Sequence, residues 1–231
     1  MNIFSVLVLT AGPPGQTHES AGAYVKIDGR EALIRSVELF LNRDNIKQIQ
    51  LVVANESAEE VKRKFGGNLG FMGVKLLTAG ARWMEQIAAA AAKIAPEATH
   101  VLVHDAARPV VPYSDIDAIL DAAGQSPAVA LTAAVRASLI ELDEGQNAVV
   151  FHNPTAFLQM LTPQVFSRAK FLEMAAAQKE LHPTQWKLIK GSSLNIRVGT
   201  SADASMAKAM LNMLPKPKLK APSSPFEEAQ W

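Results

Sequence analysis

Apolar positions in this chain fall into two alternating patterns. Short, nearly continuous apolar runs at 6–10, 50–53, 74–78, 101–104 and 128–135 predict strands covered on both faces. Between them, segments 31–42, 58–65, 82–94 and 114–123 repeat apolar residues at helical spacing and predict amphipathic helices. Strands alternating with helices in this way predict a mainly parallel sheet with helices on both faces. Asp115 and Asp117, in the first turn of the fourth helix, suit its positive end.

One stretch departs from that alternation. Segments 138–142 and 148–151 flank a turn-rich pentapeptide, Asp143-Glu144-Gly145-Gln146-Asn147, and predict a β-hairpin. A two-stranded hairpin with this much apolar surface is marginal alone and needs a surface to pack on. Beyond 214, the last segment carries four prolines and three lysines with little periodicity, so residues 1–214 read as one domain and 215–231 as a flexible tail.

Composition narrows the function classes. A chain of 231 residues buries about 70–75% of its extended surface, enough for a full core without staples. It has no cysteine, which removes disulfide and thiol chemistry. The formal net charge of +1 gives no reason to expect nucleic acid, and Lys216, Lys218 and Lys220 read as a solvated tail. The apolar run 3–9 is too short to span a bilayer and lacks a cleavage pattern, so no membrane is expected and the cytoplasm is the expected compartment. None of the five histidines, His18, His100, His104, His152 and His182, shows metal-ligand spacing, and neither a nucleophile elbow nor a G-x-G-x-x-G turn is present.

Candidate chemistry concentrates in Val101-Leu102-Val103-His104-Asp105-Ala106-Ala107-Arg108-Pro109. An apolar strand delivers an acid and a base to its own end, and Pro109 stops the run where an open sheet forms its ligand crevice. A bare Asp-x-x-Arg is more often a structural ion pair than a site. The longer string is more specific.

That string resembles the signature of the 2-C-methyl-D-erythritol 4-phosphate cytidylyltransferase family. Val6-Leu7-Val8-Leu9-Thr10-Ala11-Gly12 is similar to the family's opening strand and glycine-rich loop, and Tyr24-Val25-Lys26-Ile27-Asp28-Gly29-Arg30-Glu31-Ala32-Leu33 to its next segment. Thr162-Pro163-Gln164, read as a turn, and Asn195-Ile196-Arg197-Val198, read as a late strand, extend the likeness over about residues 3–212. The resemblance implies a three-layer α/β/α nucleotide-diphospho-sugar transferase-like fold. Its hairpin, at about 137–152, would be an arm reaching a second subunit, hence a homodimer. CTP and a sugar-alcohol phosphate would be the substrates and Mg2+ the cofactor. Asp105 and Arg108 would be catalytic, with Asp105 also holding the metal. Ala11, Gly12, Gly15, Gly80, Arg82 and Asp105 would bind nucleotide, and Arg136, Ser138, Thr162 and Arg197 the acceptor.

Cytidylyl transfer requires a crowded polyanion to be neutralised and aligned, by backbone N–H groups, cationic side chains and metal. Several of these groups are missing. The family's loop carries an arginine and ends in Pro-Lys-Gln; Gln16 and Thr17 stand near the arginine's place, and Ala21, Gly22 and Ala23 replace the tripeptide. Pro13 and Pro14 remove two N–H donors from a loop that works by donating them. Glu85 stands where a hydroxyl is expected near the base, Ala137 and Ser138 where Asp and Thr follow an arginine, and Pro154 in place of an arginine. Thr184-Gln185-Trp186 replaces Thr-Asp-Glu, and Leu194 replaces an aspartate on the metal side. Asp203 reads as the cap of the last helix, and Trp83 and Met84 as packing residues.

Two functional readings result. One is a cytidylyltransferase of weakened activity; the other is a catalytically silent homodimeric binding protein that keeps the fold.

Overall fold

Six residues, Phe4–Leu9, form β1 in the interior of the sheet, and all six are buried. Alternation sends Phe4, Val6 and Val8 to one face and Leu7 and Leu9 to the other, so a continuous apolar run is what this position requires. The computed structural model describes residues 2–14 and 20–214. Gly15, Gln16, Thr17, His18 and the 215–231 tail lie outside the described residues.

After β1 come a two-residue pair, β2 (Lys26–Ile27) and β3 (Arg30–Glu31), and helix α1 (Ala32–Glu38). The chain continues through β4 (Ile46–Ala54), α2 (Ala58–Phe71), β5 (Val74–Ala79), α3 (Trp83–Ala91), β6 (His100–Asp105), α4 (Tyr113–Ala122) and β7 (Ala128–Ala134). Then follow the hairpin strands β8 (Leu139–Leu142) and β9 (Ala148–His152), β10 (Leu158–Ser167), α5 (Arg168–Ala177), β11 (Lys187–Lys190) and α6 (Ser201–Met213). The seven-stranded sheet has the order β11-β7-β10-β6-β1-β4-β5. Only β10 runs antiparallel to its neighbours.

Helices cover both faces. Leu33 and Val37 of α1, Val61 and Leu69 of α2, and Ile116 and Ile119 of α4 pack on one side. Trp83, Ile87 and Ala90 of α3 and Phe171 and Met174 of α5 pack on the other. The result is the expected three-layer α/β/α arrangement. From β1 the chain builds outward through β4 and β5, then returns to place β6 on β1's opposite side. That reversal opens a crevice beyond the carboxyl ends of β1 and β6, where Leu9 and Asp105 are register partners.

Several sequence-based expectations are corrected. Thr162-Pro163-Gln164 is not a turn but lies inside β10, where the pairing with β7 shifts register between Met160 and Gln164. A proline lacks the ladder donor, and the irregularity accommodates it. Asn195-Ile196-Arg197-Val198 is not a strand; it is an irregular segment tied to the 105–108 turn, with the Val198 N–H donating to Ala107 O. Helix α2 runs six residues past its expected end at 65, because Leu69 continues the buried stripe begun by Val61 despite Gly66, Gly67 and Gly70. Helix α1 is shorter than 31–42 and ends before Asn42, whose φ of 57° is left-handed.

Candidate active site

Below the crevice, a buried polar scaffold fixes the ends of β6 and β10. The Thr162 hydroxyl accepts from the Asp105 N–H at 3.1 Å and lies 3.1 Å from His104 Nδ1. His104 Nε2 lies 3.0 Å from Arg108 O. Burial holds the His104 imidazole far below its ordinary pKa, at about 3, so the ring is neutral. A neutral ring that donates from Nε2 to a carbonyl must accept at Nδ1, so Thr162 donates to it. Both functions of the Thr162 hydroxyl are therefore used internally, and Thr162 supports the site from below.

Above this scaffold the charged groups gather. Asp105 is fully buried; its Oδ1 accepts from the Ala107 N–H at 2.9 Å and its Oδ2 from Arg197 Nε at 2.8 Å. Arg108 Nε lies 3.8 Å from the same Oδ2. Arg108 is itself buried and donates through Nη1 to the Asn195 carbonyl at 2.8 Å. Desolvation weakens its hold on its proton, Asp105 strengthens it, and Arg197 weakens it again. Arg108 Nε and Asn195 Oδ1 are buried without a hydrogen-bond partner, while Asn195 Nδ2 donates to Thr162 O at 2.7 Å. One unsatisfied donor and one unsatisfied acceptor beside a cavity suit a ligand that carries both kinds of group.

That cavity measures about 670 Å³ and is lined by Arg108, Arg136, Arg197, Ser192, Asn195 and Gln159, among others. Its lining residue Ser192 is anchored by Asp115 of α4, whose Oδ2 accepts from the Ser192 N–H at 2.7 Å. Burial raises the Asp115 carboxyl above its ordinary pKa, and the Ser192 bond opposes the rise. Arg136 sits where β7 leads into the arm. Ser138, exposed on the arm, is outside the cavity wall.

The other half of the crevice is built around a residue that the sequence reading missed. Gln86 of α3 is fully buried, and its Oε1 accepts from the Ala11 N–H at 3.1 Å. Its Nε2 donates to the Gly80 carbonyl and to Thr10 Oγ1, both at 3.3 Å. A single side chain thus joins the loop after β1 to the loop after β5, bringing Ala11, Gly12 and Gly80 together. A polar residue on the apolar Trp83–Ile87–Ala90 stripe was the available signal. A Cβ at Gly80 would meet Glu85 Oε2 at 2.0 Å, so a side chain there would displace the Glu85 carboxylate. Glu85 closes a capping box on α3 and pairs with Arg82, with Arg82 Nε donating to Oε1 at 2.8 Å. Arg82 holds the Glu85 carboxyl below its ordinary pKa. The pair therefore reaches the crevice rim already satisfied.

Two further glycines are fixed by close contact. A Cβ at Gly12 would lie 2.8 Å from Arg197 Nη2, so the Arg197 guanidinium rests against the Gly12 backbone. A Cβ at Gly22 would lie 2.0 Å from the Val198 carbonyl and 3.1 Å from Ala107 Cβ. Asp203, as expected, caps α6 in a reciprocal box with Thr200.

The residues around Asp105 do not form a cradle for Mg2+. Both Asp105 oxygens are engaged, one by a guanidinium, and residue 194 is a leucine. Among the described residues, no three His, Cys, Asp or Glu side chains cluster to hold an ion.

The family model described as 2-C-methyl-D-erythritol 4-phosphate cytidylyltransferase matches residues 5–213. A protein of that name from Rhodopirellula baltica is 27% identical over 231 aligned residues, which cover 89% of this chain and 94% of the relative. One from Bacillus velezensis is 26% identical, covering 89% and 95%. The crystal structure of the Thermus thermophilus enzyme of the same name superposes with a TM-score of 0.72 at 24% identity, covering 92% of this chain and 100% of that one. A 4-diphosphocytidyl-2C-methyl-D-erythritol synthase from Anaerococcus prevotii gives 0.72 at 18%, covering 91% and 96%. These two likenesses speak for the fold. Among the described residues no helix is long and apolar enough to cross a membrane. The sheet order, the crevice beside Asp105 and a family match spanning most of the sequence agree: this chain belongs to the 2-C-methyl-D-erythritol 4-phosphate cytidylyltransferase family.

Proposed function

We propose that this protein transfers CMP from CTP to 2-C-methyl-D-erythritol 4-phosphate, or to a closely similar sugar-alcohol phosphate, at a reduced rate. An oxygen of the acceptor phosphate attacks the α-phosphorus of CTP, the bond from that phosphorus to the bridging oxygen breaks, and pyrophosphate leaves. The observation that carries this reading is the convergence of Arg108, Arg136 and Arg197 on one cavity beside the buried Asp105. Guanidinium groups match phosphate oxygens in geometry and charge, and the orphaned Asn195 Oδ1 offers an acceptor to a polyol hydroxyl.

Positioning is the part of catalysis best preserved. Asp105 holds Arg197 and Arg108 side by side, Gln86 fixes Ala11 and Gly80, and the crevice lies at the point where the sheet reverses direction. Charge stabilisation is the part that is depleted. Removing one donor aimed at transition-state charge costs about 10²- to 10³-fold in rate. Pro13, Pro14 and Gly22 mark three such positions, so turnover well below that of a full complement follows. Mg2+ enters this reading as the counter-ion that CTP carries in solution.

The same reading makes the protein a homodimer through its arm, acting on small charged metabolites in the cytoplasm. Ile140, Leu142, Val149 and Phe151 leave an apolar face of the hairpin exposed, with Phe151 at 77%, while Val150 is exposed on the opposite face. Patches of that kind mark association surfaces.

Release of pyrophosphate from CTP, followed with and without 2-C-methyl-D-erythritol 4-phosphate, tests the proposal. Acceptor-dependent release supports it. Release that ignores the acceptor contradicts it, as does silence with every sugar-alcohol phosphate tried; silence would leave the binding-protein reading.

A further inference from the structure

We propose that Arg197 occupies the place of a divalent cation beside Asp105, so that this site binds phosphate groups without a metal. The inference concerns the crevice of the preceding section and rests on that reading only for the identity of the phosphate ligand.

Asp105 is the carboxylate at the carboxyl end of β6, and the described residues around it occupy both of its oxygens. Its side chain has no exposed surface. Oδ1 is taken by the Ala107 N–H, and Oδ2 by Arg197 at 2.8 Å with Arg108 Nε 3.8 Å away. An Mg2+ ion requires oxygens at about 2.0–2.1 Å in an octahedron. To reach Oδ2 it would have to enter between two guanidinium groups, against the repulsion of both. Among the described residues no second carboxylate draws it in, because the residue before Asn195 is a leucine.

Arg197 is built into this position. Its side chain is 10% exposed and rests against the Gly12 backbone, in contact too close for a Cβ at residue 12. Its own segment is anchored on both sides, by Val198 N–H to Ala107 O at 2.8 Å and by Asn195 to Thr162 and Arg108. The guanidinium therefore bridges the loop after β1 and the end of β6, across the crevice where the sheet reverses. There it joins Arg108 and Arg136, and these three are the charged side chains lining the cavity among the described residues. A fixed cation satisfies the buried carboxylate and presents positive charge to phosphate oxygens, the two electrostatic tasks a metal performs in such a crevice.

The metal half is tested on the full chain without nucleotide, by electron paramagnetic resonance of free Mn2+. The free-ion signal is expected to stay undiminished at millimolar protein. Sub-millimolar uptake that disappears in Asp105→Asn would overturn the proposal. The phosphate half is tested by calorimetric titration with CTP, and with inorganic pyrophosphate, in EDTA and in Mg2+. Affinities within threefold of each other in the two buffers are expected, with at least a tenfold loss in Arg197→Leu and a smaller one in Arg197→Lys. Binding that needs Mg2+, or no binding of either probe in EDTA, would overturn it. Metal-free binding without CMP transfer would instead refute the transferase reading and leave this inference standing.

Discussion

Gly22 lies against the backbone of Val198 so closely that a Cβ at residue 22 would sit 2.0 Å from the Val198 carbonyl oxygen. Val198 cannot retreat cheaply, because its N–H is bound to Ala107 O at 2.8 Å and its side chain is buried with Val110 and Ala207. Gly22 also aligns with the lysine of the family's Pro-Lys-Gln. The loss of that lysine is therefore fixed by packing, and reinstating it should fail. Gly22→Ala should lower stability by about 1–3 kcal/mol, as overpacking does. Gly22→Lys should lower it further and leave CMP transfer no faster. Urea unfolding and initial rates check both outcomes, and a faster Gly22→Lys enzyme would refute the packing argument.

Thr162 supports Asp105 without lining the cavity. Thr162→Val keeps the shape but leaves the Asp105 N–H and His104 Nδ1 buried and unpaired. A cost of about 1–3 kcal/mol is expected, the penalty for stranding such groups. Differential unfolding in urea measures it, and a neutral effect would show that the hydroxyl is dispensable.

His104 sets an acid limit on stability. Folded, its pKa is about 3, against an ordinary value of 6.5. Between those values the unfolded chain binds a proton that the folded chain refuses, so stability rises with pH. This contribution is complete above pH 6.5 and is lost as pH falls through the window toward 3. Two pH units below 6.5, the loss is about 2–3 kcal/mol. Unfolding curves at pH 7 and 4.5 should show that difference for the native chain and a much smaller one for His104→Gln. Equal differences would contradict the assignment.

The arm should be an association surface. Phe151→Glu and Val149→Glu place charge on the exposed apolar face of β9, away from the sheet core. Sedimentation is expected to show a dimer for the native chain and a monomer for the double variant, with an unchanged circular dichroism spectrum. A native monomer at micromolar concentration would refute the proposed assembly.

Much of this architecture is legible in the sequence. The unbroken apolar run from Phe4 to Leu9 marks a strand buried on both faces, and the acid–base string ending at Pro109 marks the mouth of the crevice. The paired prolines after Gly12 mark a loop poor in donors. Other features were hidden for physical reasons. Thr162-Pro163 looks like a turn because proline ends most ladders, yet β10 absorbs it at a register shift. Gln86 carries no such mark, because its importance lies in three loop partners drawn together only by the fold. The pairing of Asp105 with Arg197 joins residues far apart in sequence and depends on how segment 195–198 lies across the crevice. Periodicity reports which face a residue occupies, and it is silent on which distant charge that residue meets.

The most direct test of the account is phosphorus magnetic resonance of the protein incubated with CTP and 2-C-methyl-D-erythritol 4-phosphate. Slow growth of pyrophosphate together with the paired, mutually coupled resonances of a new diphosphate ester is predicted, at a rate that falls further in Arg108→Gln. Unchanged CTP and acceptor signals after prolonged incubation, with folded protein still present, would contradict the assignment of CMP transfer to this chain.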